Sequence, residues 1–251
     1  MIEFDYEINS LVARLGEDDT TVALDKRRFG RRWLIFLTGL LVMSFGIVLM
    51  IEANLGVAPW DVLHIGLTKQ VGLTVGSWSI IVGFCIITIT GILTKEWPQF
   101  GAFLNMVLVG VFIDIFRIFI NTPATTIGQY VMLLVGVIVC GYGIGLYIAP
   151  KCGAGPRDSL MIAITERSGW KVQHVRFVME IVVLMIGWIL GGPVFIGTIL
   201  FSLTIGNVVG FTLPQCQRLV DAMIERGIKI EDIDQGTLRV NNHDGISKEA
   251  R

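Results

Sequence analysis

Charge is scarce in this chain: of 251 residues only 16% are Asp, Glu, Lys or Arg, against 53% that are hydrophobic. A soluble domain of this size needs more charge to stay dissolved. With a mean hydropathy of +0.69, that scarcity points to an integral membrane protein. The charges present crowd into residues 1–32, 151–176 and 214–251, so the net charge of −1 says nothing about partners. Cysteine is sparse too. Cys85, Cys140, Cys152 and Cys216 show no CxxC or paired spacing, and neither a disulfide nor a zinc site is expected. Cys85 and Cys140 lie in apolar runs, where cysteine acts as a small hydrophobe. Of three histidines, His64 and His174 stand far apart at interfaces and make no metal pair; a structural or solvated role is expected of them. P-loop, G-x-S-x-G and HExxH motifs are all missing, so no enzyme and no cofactor are expected. The glycines at 141, 143 and 145 fall inside an apolar run, where they serve packing and not nucleotide binding. The acidic start (Glu3, Asp5, Glu7) is no signal peptide, so the first membrane helix is expected to stay in the protein.

Long apolar runs and an internal duplication are what the chain does have. Gly56-Val57-Ala58-Pro59-Trp60-Asp61-Val62-Leu63 is echoed by Gly153-Ala154-Gly155-Pro156-Arg157-Asp158-Ser159-Leu160, 97 positions on. The same offset pairs Gly39 with Gly136, Gly46 with Gly143, and Gly72 with Gly169; past one deletion an offset of 96 pairs Gly101 with Gly197 and Gly110 with Gly206. A period this long is one half of a fold copied onto the other.

Each half reads as three membrane crossings. The first has runs at Trp33–Ala53, 75–94 and 100–120, and the second at Tyr130–Ile148, Val175–Leu190 and Ile196–Leu213. Between the first two runs of each half lies a short segment, Pro59–Gln70 or Pro156–Arg167. At ~1.5 Å per residue a segment of about 12 residues covers ~18 Å, too little to cross a ~30 Å core. Both are expected to be re-entrant or interfacial half-helices, with proline at the first helical position and an aspartate near the positive dipole end. The expected domains are a polar extension at 1–31, a membrane domain at 32–213 (repeats 32–120 and 129–213) and a tail at 214–251. The start of the tail reads equally as a surface helix or as a short helix with a frayed end. Lys and Arg gather in the segments that share a side with the basic N-terminus, while the opposite loops hold only Lys69. Both termini are therefore expected in the cytoplasm. With three crossings per half the two halves must point in opposite directions. The expected fold is an all-α membrane protein of six transmembrane helices in a 3+3 inverted repeat.

In transporters of this design, substrate sites form near the midplane where broken or half-length helices meet. Gly56, Pro59 and Asp61, with Gly153, Gly155, Pro156 and Asp158, are thus candidates to line a substrate pathway. The alternative for the two aspartates is helix capping. Glu180, an ionisable group inside the fifth run, is the sharpest single candidate, although Arg176 one turn earlier offers it a structural salt bridge. Asp114 and Arg117, at i,i+3 spacing, are expected to pair as an anchor. Asn105, Ser202 and Thr204 are read as interhelical hydrogen-bond glue.

The stretch Leu55–His64 resembles the YczE/YyaS/YitT group of bacterial membrane proteins. So do Gly145-Leu146-Tyr147-Ile148, Gly155–Met161, Gly187–Gly192 and Gly197-Thr198, in order across about residues 32–213. The resemblance is greatest to the YczE branch, and one departure is Gly101-Ala102 where the second half has Gly197-Thr198. It implies a bacterial multi-pass protein of the cytoplasmic membrane; some family members are thought to assist export or secondary-metabolite production. The expected function is a small secondary transporter or permease for a polar or anionic solute. The alternative is a non-transporting scaffold or accessory protein for an export or biosynthetic partner. The expected partners are the lipid bilayer and a small-molecule solute, with no nucleic acid and no metal.

Overall fold

The computed structural model describes residues 29–95, 100–153, 155–170 and 172–246. The expectations for the polar extension before residue 29, for the turn at 96–99 and for the last five residues lie outside these. All regular structure among the described residues is helical. The helices are α1 (Phe29–Glu52), α2 (Pro59–Val71), α3 (Val75–Thr94), α4 (Phe100–Phe119), α5 (Thr126–Ile148), α6 (Pro156–Ser168), α7 (Val172–Ile189) and α8 (Ile196–Ile246). Five stretches are long and apolar enough to cross a membrane: α1, α3, α4, α5 and Ile196–Met223 of α8. Their outward faces carry Phe84, Ile92, Ile118, Ile138, Leu203 and Phe211, all exposed. A water-soluble monomer rarely shows so continuous an apolar surface, so this is the protein's face toward lipid.

The described chain divides into two compact units. One consists of the first turns of α1 and the part of α8 from Arg218 onward; the other, Ile35–Gln217, holds everything that follows.

Local chemistry starts and stops the helices. Pro59 and Pro156 occupy the first turn of the two short helices. Gly72 and Gly169 end them at φ of 86° and 69°, values that favour glycine. Thr74 caps α3 by accepting from the Ser77 amide, and Thr125 caps α5 by accepting from Gly128. Asp114 of α4 holds the start of α3, accepting from the Thr74 hydroxyl and, at 3.0 Å, from the Gly76 amide. The expected Asp114–Arg117 pair is therefore absent. Arg117 instead donates to Glu52 at the end of α1, 3.1 Å away, because a tertiary carboxylate for Arg117 and a free first-turn amide for Asp114 out-compete a helical neighbour.

The helices of the larger unit meet through glycine, and the contacts come in reciprocal pairs. A Cβ at Gly46 would lie 2.4 Å from the Cys140 amide nitrogen, and one at Gly143, 2.3 Å from that of Met43. Gly39 faces Tyr147 in the same way, and Gly136 faces Met50. Each pair maps onto the other through the 97-residue offset. Backbones that approach this closely gain van der Waals contact, the main attraction between helices in lipid. The short helices cross over: α2 packs on α7, and α6 packs on α3. Gln70 donates to the Leu190 carbonyl, and its counterpart Arg167 donates to that of Leu93.

α8 departs from expectation. It continues through Pro214 without ending, where the sixth run was expected to stop near Leu213. Proline removes one amide donor and crowds the carbonyl four residues earlier. On either side of the proline, Thr212 Oγ1 donates to Gly141 O at 3.0 Å and Cys216 Sγ contacts Tyr142 O, tying α8 to α5. Thr212→Val keeps shape and removes the buried bond. It is expected to cost about 1 kcal/mol, read as a lower midpoint in reversible SDS unfolding.

Candidate functional site

The two short helices begin at one cavity of about 200 Å³ inside the larger unit. Ala58, Pro59, Trp60 and Asp61 form one part of its wall, and Gly155, Pro156, Arg157 and Asp158 form another. The turns before them position these residues. Gly56 has φ of 103°, and a Cβ there would meet Thr198 at 2.9 Å. Gly153 has φ of 146° and sits equally close to Gly101. Gly197 donates its amide to Leu55 O at 2.7 Å, locking the first turn onto α8.

Of the candidates read from sequence, Pro59, Asp61, Gly155, Pro156, Asp158 and Glu180 line the cavity. Gly56 and Gly153 do not. Their positive φ and tight backbone contacts give them a packing task behind the wall. Glu180 accepts from Arg176 Nε at 3.1 Å, so the ion pair offered by their spacing forms, and both of its members face the cavity.

The lining follows the duplication. Met43 and Cys140, Ile47 and Ile144, Val82 and Met179, and Val109 and Ile205 are counterparts at the 97 or 96 offset, and all line the space. Where counterparts differ, most of the polar groups come from the second half. Arg157 stands opposite Trp60, Tyr147 opposite Met50, Arg176 opposite Ser79, and Glu180 opposite Gly83; His64 and Asn105 are the first half's additions, opposite Met161 and Phe201. The scaffold is near-symmetric and the chemistry is lopsided.

Arg157 is the residue that sequence reasoning missed. It is not among the site candidates read from the sequence, yet its guanidinium carbon lies 4.7 Å from the Trp60 ring centroid. That places the two counterpart positions of the duplicated motif against each other. A cation–π contact of this kind holds the guanidinium without using any of its N–H donors. Among the described residues Arg157 makes no hydrogen bond and no ion pair. The only signal was its place in the motif, where the other copy has an aromatic.

Several buried polar atoms around the cavity are likewise without partners. Asp61 is 1% exposed and its Oδ1 accepts no hydrogen bond; the nearest charged or chargeable group is His64 Nδ1, 3.6 Å away and itself unpartnered. Asn105 Nδ2 is an unused donor, so the expected interhelical glue is not made there. Asp158, by contrast, accepts from the Tyr147 hydroxyl at 2.9 Å. Neither aspartate caps its helix through the side chain. Unpaired polar atoms in a membrane interior cost free energy unless something met there satisfies them. A cavity with unused donors and acceptors at two helix starts is suited to hold a small polar molecule. No group of three or more metal-ligating side chains occurs among the described residues.

A protein of Bacillus subtilis (strain 168) named uncharacterized membrane protein YczE is 45% identical over 202 residues, covering 80% of this chain and 94% of that one. An uncharacterized protein of Haemophilus influenzae is 34% identical over 185 residues, 74% of this chain and 84% of its own length. The uncharacterized protein YyaS of Bacillus subtilis is 27% identical over 190 residues, 74% and 94% of the two chains. No solved structure matches. The model of a family of unknown function, DUF6198, matches residues 30–214, the stretch that holds the whole cavity and both copies of the motif. This membrane protein, similar to YczE and YyaS, therefore belongs to the DUF6198 family.

Proposed function

We propose that this protein is a secondary transporter of a small polar or anionic solute, built as a 3+3 inverted repeat of six crossings with both termini in the cytoplasm. The observation that carries the reading is the cavity where the two half-helices begin, with the unpaired guanidinium of Arg157 in its wall. The inverted repeat is supported by the reciprocal contacts: Gly46 on Cys140 with Gly143 on Met43, and Gln70 on Leu190 with Arg167 on Leu93. Contacts of this kind follow when two like halves are related by a twofold axis. In this reading α7 is the sixth crossing, with the Arg176–Glu180 pair bringing its charges to the cavity. The lopsided distribution of Lys and Arg puts the termini on the cytoplasmic side.

Transport proceeds by rocking of one half against the other around the occupied cavity. No chemical step is required of the protein. At about 200 Å³ the space falls below the ~300–1,000 Å³ of pockets for drug-sized ligands, so the solute is small. Reconstitution into liposomes tests this. Labelled acetate, propionate, inorganic phosphate, glycine and β-alanine are offered on one side, with counterflow as the readout. Saturable uptake of at least one is expected. Uptake of none above protein-free vesicles overturns the proposal.

A further inference from the structure

We infer that the solute is zwitterionic, its anionic group meeting Arg157 and Asn105 and its cationic group meeting Asp61. This rests on the transport reading above and names the class of molecule for the same cavity. Arg157 and Asp61 carry opposite charges and line one space, yet no ion pair joins them within 4.0 Å. Both also lack hydrogen bonds to the described protein, apart from the long 3.6 Å approach of His64 to Asp61. Asp61 is 1% exposed and Asn105 6%, so neither finds its missing partner in bulk water.

The charges facing the cavity decide between classes. Asp61, Asp158 and Glu180 set three carboxylates against the guanidiniums of Arg157 and Arg176. The remaining titratable groups in the wall are His64, Tyr147 and Cys140. With these three neutral the lining carries one excess negative charge. A simple anion would satisfy Arg157, strand Asp61, and add negative charge to a site already negative. A simple cation would satisfy Asp61 and leave the N–H fork of Arg157 unused. A molecule with both groups satisfies both orphans and leaves the net charge unchanged. Trp60 already holds the guanidinium, so little side-chain ordering is lost on binding.

The test is binding to the full-length detergent-purified protein, followed by thermal shift and calorimetry. The probes form a ladder of charge spacing: glycine, β-alanine and γ-aminobutyrate. Each rung has a matched acid (acetate, propionate, butyrate) and a matched amine (methylamine, ethylamine, propylamine). At least one rung is expected to bind saturably, with its acid and its amine at least ~30-fold weaker, the effect of leaving one buried charge unpaired. Asp61→Asn is expected to erase the preference for the zwitterion over the acid, while Arg157→Gln erases the preference over the amine. Asp61→Asn keeps the side chain's shape and Arg157→Gln shortens it while keeping it polar, and a monodisperse chromatographic peak reports that both variants fold. Equal binding of acid and zwitterion, equal binding of amine and zwitterion, or no binding on any rung each overturn the inference. Failure here is separable from failure of transport. Uptake of acetate or phosphate without zwitterion binding removes this inference alone, and zwitterion binding without flux removes the transport reading alone.

Discussion

Gly46→Leu or Gly143→Leu is expected to leave no folded protein in detergent. A Cβ at either position would lie 2.4 or 2.3 Å from a backbone nitrogen of the facing helix, and backbone cannot swing aside as a side chain can. Relief requires α1 and α5 to separate along the crossing, which also uncovers Gly39 against Tyr147 and Gly136 against Met50. The alanine versions are milder, at about 2–3 kcal/mol each by analogy with overpacked cores. They also carry a sharper expectation. Both substitutions are relieved by the same displacement, so the double variant Gly46→Ala/Gly143→Ala should cost clearly less than the two single effects together. Reversible unfolding in mixed SDS micelles measures this. Additive costs would mean that the two contacts relax independently and that the crossing is not a single reciprocal interface.

Arg157→Gln should do the opposite to stability and abolish function. The guanidinium lies over Trp60 but makes no hydrogen bond among the described residues, so its desolvation is offset only in part, by Trp60 and by the more distant charges of Asp61 and Asp158. Replacing it with a neutral amide removes that cost, and the apo melting temperature should stay the same or rise. Solute uptake should fall at least ~30-fold, since the charge-assisted, forked contact is lost. Arg157→Lys should recover only part of the uptake, because an ammonium neither stacks nor forks in the same way. A marked fall in apo melting temperature with uptake intact would make Arg157 a structural residue and remove the argument built on it.

The two motifs also explain why helix ends were readable and side-chain partners were not. Pro59 and Pro156 at the first turns, with Gly72 and Gly169 past the last, bracket both short helices within a residue of the expected limits. These are local constraints on backbone angles, and they act wherever the segment is placed. Arg176 and Glu180 pair as their i,i+4 spacing suggests, with no competing ion-pair partner for either among the described residues. Asp114 and Arg117 had equally good spacing and separated, each drawn to a group distant in sequence. Pro214 is the converse case: the sixth run was expected to end beside it, yet α8 continues, with α5 supplying tertiary contacts on either side of the proline.

By itself the sequence determined that the protein is a helical membrane protein with a duplicated core, where its helices run up to Pro214, and that two short ones begin alike. Those properties follow from apolar length, proline and glycine angles, and a repeat that survives position by position. Only the tertiary structure decided what the two starts do together. Trp60 and Arg157 occupy the same place in the two copies, and nothing in either copy says that one will stack on the other. Asp61 Oδ1 and Asn105 Nδ2 are buried without a hydrogen-bond partner among the described residues, and nothing in the local sequence foretells it. A side chain's partners depend on which distant segments pack beside it, and local sequence does not carry that information.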